Sequence, residues 1–497
     1  MTLAWPDLLV LAAYFAAVIF VGFWFGRTER STHDYFLGGK RQHWLIVGLS
    51  IIATEVSALT FITVPADSFW GDWNYLQMYA GAIVGRLLIV VLLLPAFYGG
   101  AVTTVYEYLG QRFGPCTRTT ASLMFVASRI VGSGIRLLAA SLAIATVFGW
   151  PLEWVVLIAA GIAIAYSTFG GIKAIIWTDA LQALVFLGSG LAVAVFLFLS
   201  IPGSWTENLA SAGEAGKFHT FTWSGSLNNE KLFWALLISA TFQNCAALGV
   251  DQDLTQRMLT CPDLKRGQRS LIFNTLMGLP IVCLFLLIGT MLFVYLGTAD
   301  VPSEVVEKTD RIFPYFIANM LPAGYGLRGL LIAGIFAAAM SSLDSALGAL
   351  SSTAVTDFYR PLKAWLNRHG SRASSHGQAD DARDLRLARF ITFVFGGLLA
   401  SVALAFAQYD ELLWETFKWV GLIFGGMLGV FLLGVTTVSR GNDGMNMFAM
   451  LSSVVVLAAI KRVQEQQDVV YIAWPWWVVI GTVWTYVLGV CFHTRRE

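Results

Sequence analysis

A short polar cluster, Ser341, Ser342, Asp344 and Ser345, interrupts the long apolar segment that covers residues 326–357. On a helix, Ser341 lies one turn before Asp344 and Ser345, so two hydroxyls and a carboxylate share one face. An ionised carboxylate at membrane depth costs roughly 2.5 to 3.5 kcal/mol, so a compensating partner is expected. Oxygen donors with one negative charge suit a small alkali cation better than a soft metal. These residues alone leave open a second interpretation, an interhelical hydrogen-bond seam of serine and aspartate.

The composition places this cluster in a membrane. The chain has 497 residues, of which 57% are hydrophobic and 13% are charged, with a mean hydropathy of +0.68 and a net charge of +1. Soluble globular domains average about 25% charged residues, so the composition indicates a multi-pass protein of the lipid bilayer. The near-zero net charge disfavours nucleic-acid binding, which needs a basic surface.

Metal, cofactor and nucleotide signatures are missing from the sequence. The six histidines lie in loops or at segment edges, and the five cysteines have no CxxC spacing. We therefore expect no disulfide, no histidine or thiolate metal site and no organic cofactor. The sequence has no P-loop and no Ser/His/Asp cluster, which disfavours ATP-driven transport and a membrane enzyme.

Apolar runs of helical length predict an all-α integral membrane protein with about thirteen spans. The predicted spans cover residues 6–26, 43–70, 76–98, 117–148, 152–169, 172–200, 233–258, 268–297, 326–357, 386–407, 412–438, 443–461 and 474–493. Asp7 and the lack of a preceding basic residue predict that the first span is retained and is not a cleaved signal peptide. Basic residues cluster in the loops after the first, seventh and ninth spans, which predicts an outside N-terminus and a cytoplasmic C-terminus. Lys461 and Arg462 fall on the predicted outer side, which does not agree with this orientation.

Two of the predicted spans carry polar interruptions. The second span contains Thr54, Glu55, Ser57, Thr60 and Pro65, and the seventh contains Gln243, Asn244, Gly249, Asp251 and Asp253. Polar breaks at the start of two successive five-helix blocks are typical of transporters built from inverted repeats. The predicted parts of the chain are an extra helix and loop (1–42), a first repeat (43–200), an outer loop (201–232), a second repeat (233–438) and two extra helices (439–497).

Five motifs resemble those of the sodium:solute symporter family, in the family's order. They cover residues 34–40 (DYFLGGK), 106–109 (YEYL), 170–179 (GGIKAIIWTD), 251–257 (DQDLTQR) and 337–345. The layout is most similar to that of bacterial sialic acid symporters. The resemblance implies a LeuT-type core of inverted five-helix repeats, a bacterial inner (plasma) membrane location and import of a small solute together with one or two sodium ions.

The resemblance also implies two ion positions. The main sodium site would use the backbone carbonyls of Ala53, Val56 and Ala338 with the hydroxyls of Ser341 and Ser342. The second would use Asp179, Ser341, Asp344 and Ser345. Asp344 stands where the relatives have a serine, so it either tightens ion binding or takes a proton, and proton coupling stays an alternative. Asp179 also fits a helix-start carboxylate stabilised by the helix dipole. Our hypothesis is two sodium ions per solute.

The solute pocket implied by the resemblance contains Thr54, Glu55, Ser57, Thr60, Tyr75, Gln77, Tyr79, Arg136, Gln243 and Asn244. Glu55 and Arg136 are each deep in an apolar segment, so a salt bridge between them or pairing with solute is expected. Arginine grips a carboxylate through two parallel hydrogen bonds. Family members hold their solute's carboxylate with an arginine on this helix, one turn away from Arg136. We expect Arg129, two turns earlier, to extend its charge to the membrane interface.

Together Glu55 and Arg136 favour a polyhydroxylated or zwitterionic solute, a sugar acid such as sialic acid. The alternative is a neutral sugar or other organic solute, with the two side chains merely tying two helices together. A sensor with this fold usually carries an appended kinase domain, and few residues follow the last predicted span, so a symporter is favoured. Nothing in the sequence requires more than a monomer.

Overall fold

The computed structural model describes residues 3–26, 32–56, 58–100, 102–226, 228–297, 302–306, 309–369, 378–408, 412–467 and 469–493. Within these ranges the chain is helical, and β pairing is limited to two isolated bridges.

The α-helices begin with α1 (Trp5–Gly26), α2 (Thr32–Leu37), α3 (Trp44–Glu55), α4 (Ala58–Trp70), α5 (Gln77–Leu88), α6 (Leu94–Gly100), α7 (Val105–Arg112), α8 (Pro115–Phe148), α9 (Leu152–Ser200), α10 (Trp205–Glu214) and α11 (Phe233–Gly249). They continue with α12 (Gln252–Leu259), α13 (Leu264–Leu296), α14 (Ser303–Val306), α15 (Ile312–Asn319), α16 (Leu327–Thr353), α17 (Arg360–His369), α18 (Gln378–Ala405), α19 (Leu412–Thr436), α20 (Asp443–Gln467) and α21 (Pro475–Val490).

Nine helical stretches of the described chain are long and apolar enough to cross a bilayer, and α3/α4 and α11/α12 each form a bent pair that passes the same test. Leu152–Ala165 and Pro475–Val490 are shorter apolar helices. These stretches lie where the thirteen spans were predicted, while the number of membrane crossings stays a prediction. The predicted fifth and sixth spans are the two parts of α9, which are separated by a kink at Gly171, where the backbone leaves helical geometry. Its φ of 53° lies in the left-handed region that glycine adopts without strain.

The first predicted break lies between α3 and α4, whose axes differ by 56°. Val56 leaves helical geometry with φ −82° and ψ 80° directly after Glu55, the last residue of α3. The last carbonyls of a helix lack partners within the helix, so a break exposes backbone oxygens to ligands. Ser57 lies outside the described residues.

The second predicted break lies between α11 and α12, whose axes differ by 59°. Asp251 caps the new helix, because its side chain accepts a hydrogen bond of 2.9 Å from the backbone N–H of Asp253. Helix α12, the half-helix that follows this break, starts inside the protein, because Gln252 and Asp253 are both buried.

Helix α16 carries the polar cluster through the centre of the molecule. It packs against α9, α1, α3, α8 and α12. Ser341, Ser342, Asp344 and Ser345 are all buried there. The sequence reads as a lipid-spanning segment, yet the surroundings of these four residues are protein, as intramembrane polar groups require.

Candidate functional site

The polar face of α16 lies against the end of α3. Thr54 Oγ1 is 3.3 Å from the hydroxyl oxygens of both Ser341 and Ser345. Ser342 Oγ donates to the carbonyl oxygen of Ala338 at 3.1 Å. Thr54, which was predicted to line the solute pocket, therefore contacts the predicted ion ligands. We refer to Ser50, Thr54, Asp179, Ser341 and Ser345 as the ion cluster.

Asp179 of α9 brings a carboxylate to the ion cluster. Ser50 Oγ donates to Asp179 Oδ2 at 2.7 Å, and Arg257 Nη2 donates to the same oxygen at 2.9 Å. Asp179 Oδ1 is buried and accepts no hydrogen bond from the described residues. A buried carboxylate oxygen without a partner is costly, and a bound cation would satisfy it. Because Asp179 is embedded among α3, α12 and α16, it does not act as an ordinary helix-start carboxylate.

Arg257 of α12 joins the ion cluster, and sequence reasoning did not assign it a role. Its Nε donates to Ser50 Oγ at 2.9 Å, and its Nη2 also donates to Ser345 Oγ. Its Nη1 donates to Asp253 Oδ1 at 2.7 Å. The spacing of Asp253 and Arg257 within one motif, one helical turn apart in an apolar segment, was the signal that would have singled it out.

Arg129 does not extend to the membrane interface, so that prediction is wrong. Its side chain is 7% exposed and forms ion pairs with Asp251 Oδ2 at 2.5 Å and Asp253 Oδ2 at 3.1 Å. The two carboxylates at the start of α12 offset the cost of burying the guanidinium, which the sequence position alone does not reveal. With Asp179 and Arg257, the connected group holds three carboxylates and two guanidinium groups. One formal negative charge remains, which one monovalent cation would balance.

Asp344 lies on the side of α16 that faces the first half of α9. Ser167 Oγ donates to Asp344 Oδ1 at 3.1 Å. The structure thus brings Asp179, Ser341 and Ser345 into one hydrogen-bonded group and sets Asp344 one turn from Ser341 on the same buried helix. Ala53, Val56 and Ala338 belong to one buried cluster around the first break. The ion-binding roles of these residues stay predictions.

Glu55 pairs with Arg86 of α5, so the salt bridge to Arg136, one of the two alternatives expected for Glu55, is not formed. Arg86 Nη2 donates to Glu55 Oε1, and Asn274 Nδ2 of α13 donates to Glu55 Oε2 at 3.0 Å. Arg86 was overlooked although it meets the criterion that selected Arg136, a lone arginine inside an apolar span. Helix α5 approaches α11 closely because Gly81 and Gly85 lack side chains. A Cβ at either position would meet a carbonyl oxygen of α11 at 2.2 or 2.5 Å.

Arg86 also gathers other residues of the predicted solute pocket. Its Nε donates to Asn244 Oδ1 at 3.2 Å, and its Nη1 donates to Tyr79 Oη at 3.2 Å and Asn274 Oδ1 at 3.0 Å. The resulting polar group of Glu55, Tyr79, Arg86, Asn244 and Asn274 connects α3, α5, α11 and α13. Its two formal charges cancel.

Arg136 of α8 has a different environment. Its side chain is half-buried, and its Nη1 is buried without a hydrogen-bond partner among the described residues. An unpaired guanidinium at this depth is expensive unless a ligand pairs with it. Arg136 is therefore the group in the predicted pocket that is available to an anion.

The remaining predicted pocket residues differ in their positions. Gln77 Nε2 donates to Asn74 Oδ1 at 2.8 Å and to the Lys231 carbonyl at 2.9 Å, so it fastens the loop between α9 and α11. Tyr75 packs where three apolar clusters meet. Thr60 and Gln243 are half-buried.

Comparison with known proteins shows the family to which this chain belongs. The model of the sodium:solute symporter family matches residues 35–453. The sodium/sialic acid symporter SiaT of Proteus mirabilis is 31% identical over 456 residues, which cover 91% of this chain and 88% of that protein. The sodium/sialic acid symporter NanT of Aliivibrio fischeri is 28% identical and covers 97% of this chain and 91% of its own.

A solved structure is similar along almost the whole chain. It is the substrate-bound, outward-open state of a Na+-coupled sialic acid symporter, with a TM-score of 0.84 and 28% identity over 98% of this chain and 97% of that chain. The fold is therefore the LeuT type, as predicted. This chain belongs to the sodium:solute symporter family and is a multi-pass, sodium-coupled transporter of a small solute, not an enzyme.

Proposed function

We propose that this symporter imports a sugar acid such as sialic acid and that Arg136 binds the carboxylate of that solute. The observation that carries the proposal is the buried Nη1 of Arg136, which lacks a partner among the described residues. A guanidinium pairs with a carboxylate through two parallel, charge-assisted hydrogen bonds. The relatives named as sialic acid symporters support a solute with that group.

The charge of the pocket favours an anion over the alternatives. Glu55 is neutralised by Arg86 and accepts a second hydrogen bond from Asn274, which disfavours a role in binding an amino group. Arg136 then contributes a positive charge whose Nη1 has no hydrogen-bond partner among the described residues. A neutral sugar would leave that charge unpaired, because the bridge from Arg136 to Glu55 is not formed.

Two sodium ions accompany each solute in this proposal. The main ion is held by the carbonyls of Ala53, Val56 and Ala338 and the hydroxyls of Ser341 and Ser342, and the second by Asp179, Ser341, Asp344 and Ser345. The unpartnered Asp179 Oδ1 and the single excess negative charge of its network support the second position. All of these ligands are hard oxygen donors. Sodium coupling in the family disfavours the proton alternative at Asp344.

The number of ions decides how scarce a nutrient the cell can harvest. One sodium entering down a tenfold gradient releases about 1.4 kcal/mol, and one net charge crossing 100 mV adds roughly 2.3 kcal/mol. A monoanion with one sodium is electroneutral and is concentrated about tenfold. With two sodium ions one positive charge crosses per cycle, and the limit rises to roughly five thousandfold.

The proposed topology places the N-terminus outside and the C-terminus in the cytoplasm of a bacterial inner membrane, with inverted repeats at 43–200 and 233–438. The basic loops after the first, seventh and ninth predicted spans support this orientation. A monomer contains every proposed ligand.

Thermal unfolding of the purified protein in sodium and in potassium tests the proposal, with a panel of sugar acids, neutral sugars and amino acids. A solute at a hundred times its dissociation constant raises the free energy of unfolding by about 2.7 kcal/mol. We expect stabilisation by sialic acid or another sugar acid in sodium only, and its loss in Arg136→Met. Stabilisation by a neutral sugar, or equal stabilisation of Arg136→Met, would contradict the assigned solute class.

A further inference from the structure

The guanidinium of Arg257 is inserted among helices other than its own. Its side chain is 1% exposed, and its donors reach Ser50 of α3, Asp179 of α9 and Ser345 of α16. A single side chain from the half-helix α12 therefore connects the three helices that form the ion cluster. In this position the guanidinium is sensitive to any change in the charge of the ion cluster.

Two of these partners, Asp179 and Ser345, are ligands of the proposed second sodium position. Arg257 thus holds a positive charge beside the position that the sodium would take. A sodium bound at Asp179 Oδ1 with the guanidinium still at Oδ2 would be about 5 Å from a like charge. At an effective dielectric constant near 20 this repulsion weakens sodium binding by roughly a hundredfold. The two cations therefore exclude each other.

Arg257 has a second partner, Asp253, on its own helix. Its Nη1 donates to Asp253 Oδ1 and to the Asp253 carbonyl oxygen, both at 2.7 Å, and Asp253 lies one turn earlier on the same helix. Arg257 can leave Asp179 without becoming an unpaired buried charge. The break of 59° before α12 is a place where such a movement can occur without unfolding a helix.

We propose that Arg257 is a tethered counter-cation that neutralises Asp179 in the part of the cycle in which the second sodium is not bound. When sodium binds, Arg257 withdraws towards Asp253 together with α12. While the empty carrier returns across the membrane, Asp179 itself keeps Arg257 as its counter-charge. This inference rests on the proposed second sodium position and gives Arg257 a positioning role, since it does not contact the solute.

Net uptake and solute exchange separate this role from a structural one. In proteoliposomes, net uptake of sialic acid requires the empty carrier to return, whereas exchange of external for internal sialic acid at equal sodium does not. We expect Arg257→Gln to lower net uptake at least tenfold and exchange less than threefold. Arg257→Lys keeps the charge and should recover net uptake to within about threefold of the unmodified protein. Equal loss of both activities in Arg257→Gln would overturn the proposal.

A charge-balanced variant covers the case in which Arg257→Gln fails to fold. Asp179→Asn combined with Arg257→Gln removes both charges, so it should recover net uptake, with a sodium Hill coefficient of one. Net uptake that stays as low as in Arg257→Gln, or that needs two sodium ions, would contradict the proposal. Ser342→Ala, at the main ion position, should lose uptake and exchange together. If the unmodified protein shows neither activity with sialic acid, the proposed solute fails, and the same pair of assays is run with the solute that stabilises the protein.

Discussion

Arg86 of α5 and Arg136 of α8 both lie inside membrane-spanning stretches, yet their side chains form different numbers of hydrogen bonds. Arg86 is 2% exposed and donates to Glu55, Tyr79, Asn244 and Asn274. Arg136 has a buried Nη1 without a partner among the described residues. A charge whose donors are all used holds helices together, whereas a charge with donors to spare is available to a ligand.

Two buried carboxylates, Asp179 of the ion cluster and Asp251 at the start of α12, differ in the same way. Asp251 accepts from the backbone of Asp253 and pairs with Arg129, so it acts as a helix cap inside an ion pair. Asp179 uses one oxygen for Ser50 and Arg257 and keeps the other without a donor from the described residues. Burial and charge are alike at the two sites, so incomplete hydrogen bonding is what separates Asp179 from Asp251.

Removal of Arg86 gives the largest expected effect, and the effect is on stability. Arg86→Met leaves Glu55 in the core without its counter-ion, which typically costs 3 to 5 kcal/mol, so we expect the free energy of unfolding to fall by about that amount. Denaturant unfolding in detergent measures it. Glu55→Gln combined with Arg86→Met removes both charges and should recover at least half of the loss. An unaffected Arg86→Met variant would remove the distinction between the two arginines.

Removal of Arg136 should instead affect transport. Arg136→Met loses a bidentate contact to the solute carboxylate worth about 2 to 3 kcal/mol, which lowers uptake efficiency by about thirty- to a hundredfold. Its stability without solute should stay unchanged or rise, because an unpaired buried charge is removed. Arg266→Met, at an exposed arginine in the first turn of α13, is the control and should leave both quantities unchanged. A destabilised Arg136→Met with normal uptake would assign Arg136 a structural role.

The sequence predicted the positions of the helices and their breaks better than it predicted which charged side chains pair. Apolar runs placed the spans, and polar residues inside two of them placed both breaks, because membrane depth makes each such residue informative on its own. The partner of Glu55 was misassigned because Arg86 and Arg136 satisfy the same criterion. Only the packing of α5 on α11 at Gly81 and Gly85 decides which arginine reaches the first break. That contact joins residues far apart in the sequence, so no local pattern of charged residues predicts it.

The ion cluster shows a second limit of the sequence. Asp179, Ser341 and Ser345 were found through their motifs, and they meet in the structure. Arg257 and Arg129 were not connected to them, because their ion pairs link α8, α9 and α12 across more than seventy residues of chain. A rule that every buried carboxylate needs a partner would have prompted the search for both arginines.

Removal of the Asp179 carboxylate tests the proposed second sodium position. Asp179→Asn removes the carboxylate but retains a side chain of the same size, so we expect the sodium Hill coefficient of uptake to fall from two to one. Half-saturating sodium should rise by about tenfold, equivalent to about 1.4 kcal/mol. The control is Asp263→Asn, at an exposed carboxylate away from the ion cluster, which should keep the coefficient at two. A pH-driven, sodium-independent uptake that disappears in Asp344→Ser would instead support proton coupling.

Lys217 is a lysine whose hydrogen-bond donors are used, as those of Arg86 are. We expect its removal to have the smallest effect on the protein. Its Nζ donates to the carbonyl oxygens of Phe69 at 2.6 Å and Gly71 at 3.0 Å, and it lies 4.1 Å from the centroid of the Phe293 ring. These carbonyls end α4, so Lys217 ties the loop between α9 and α11 to the helix that follows the first break. Lys217→Met keeps the apolar stem and removes the donors, which should lower the free energy of unfolding by about 1 to 2 kcal/mol.

The control for this variant is Lys231→Met, at an exposed lysine of the same loop, which should change stability by less than about 0.5 kcal/mol. Both variants should keep the KM for solute and the sodium Hill coefficient, because neither lysine side chain contacts Arg136 or the ion cluster. A raised KM in Lys217→Met at unchanged stability would mean that this loop takes part in binding. In that case a charge whose donors are all used would also be functional, and the rule drawn from Arg86 and Arg136 would hold only inside the helical core.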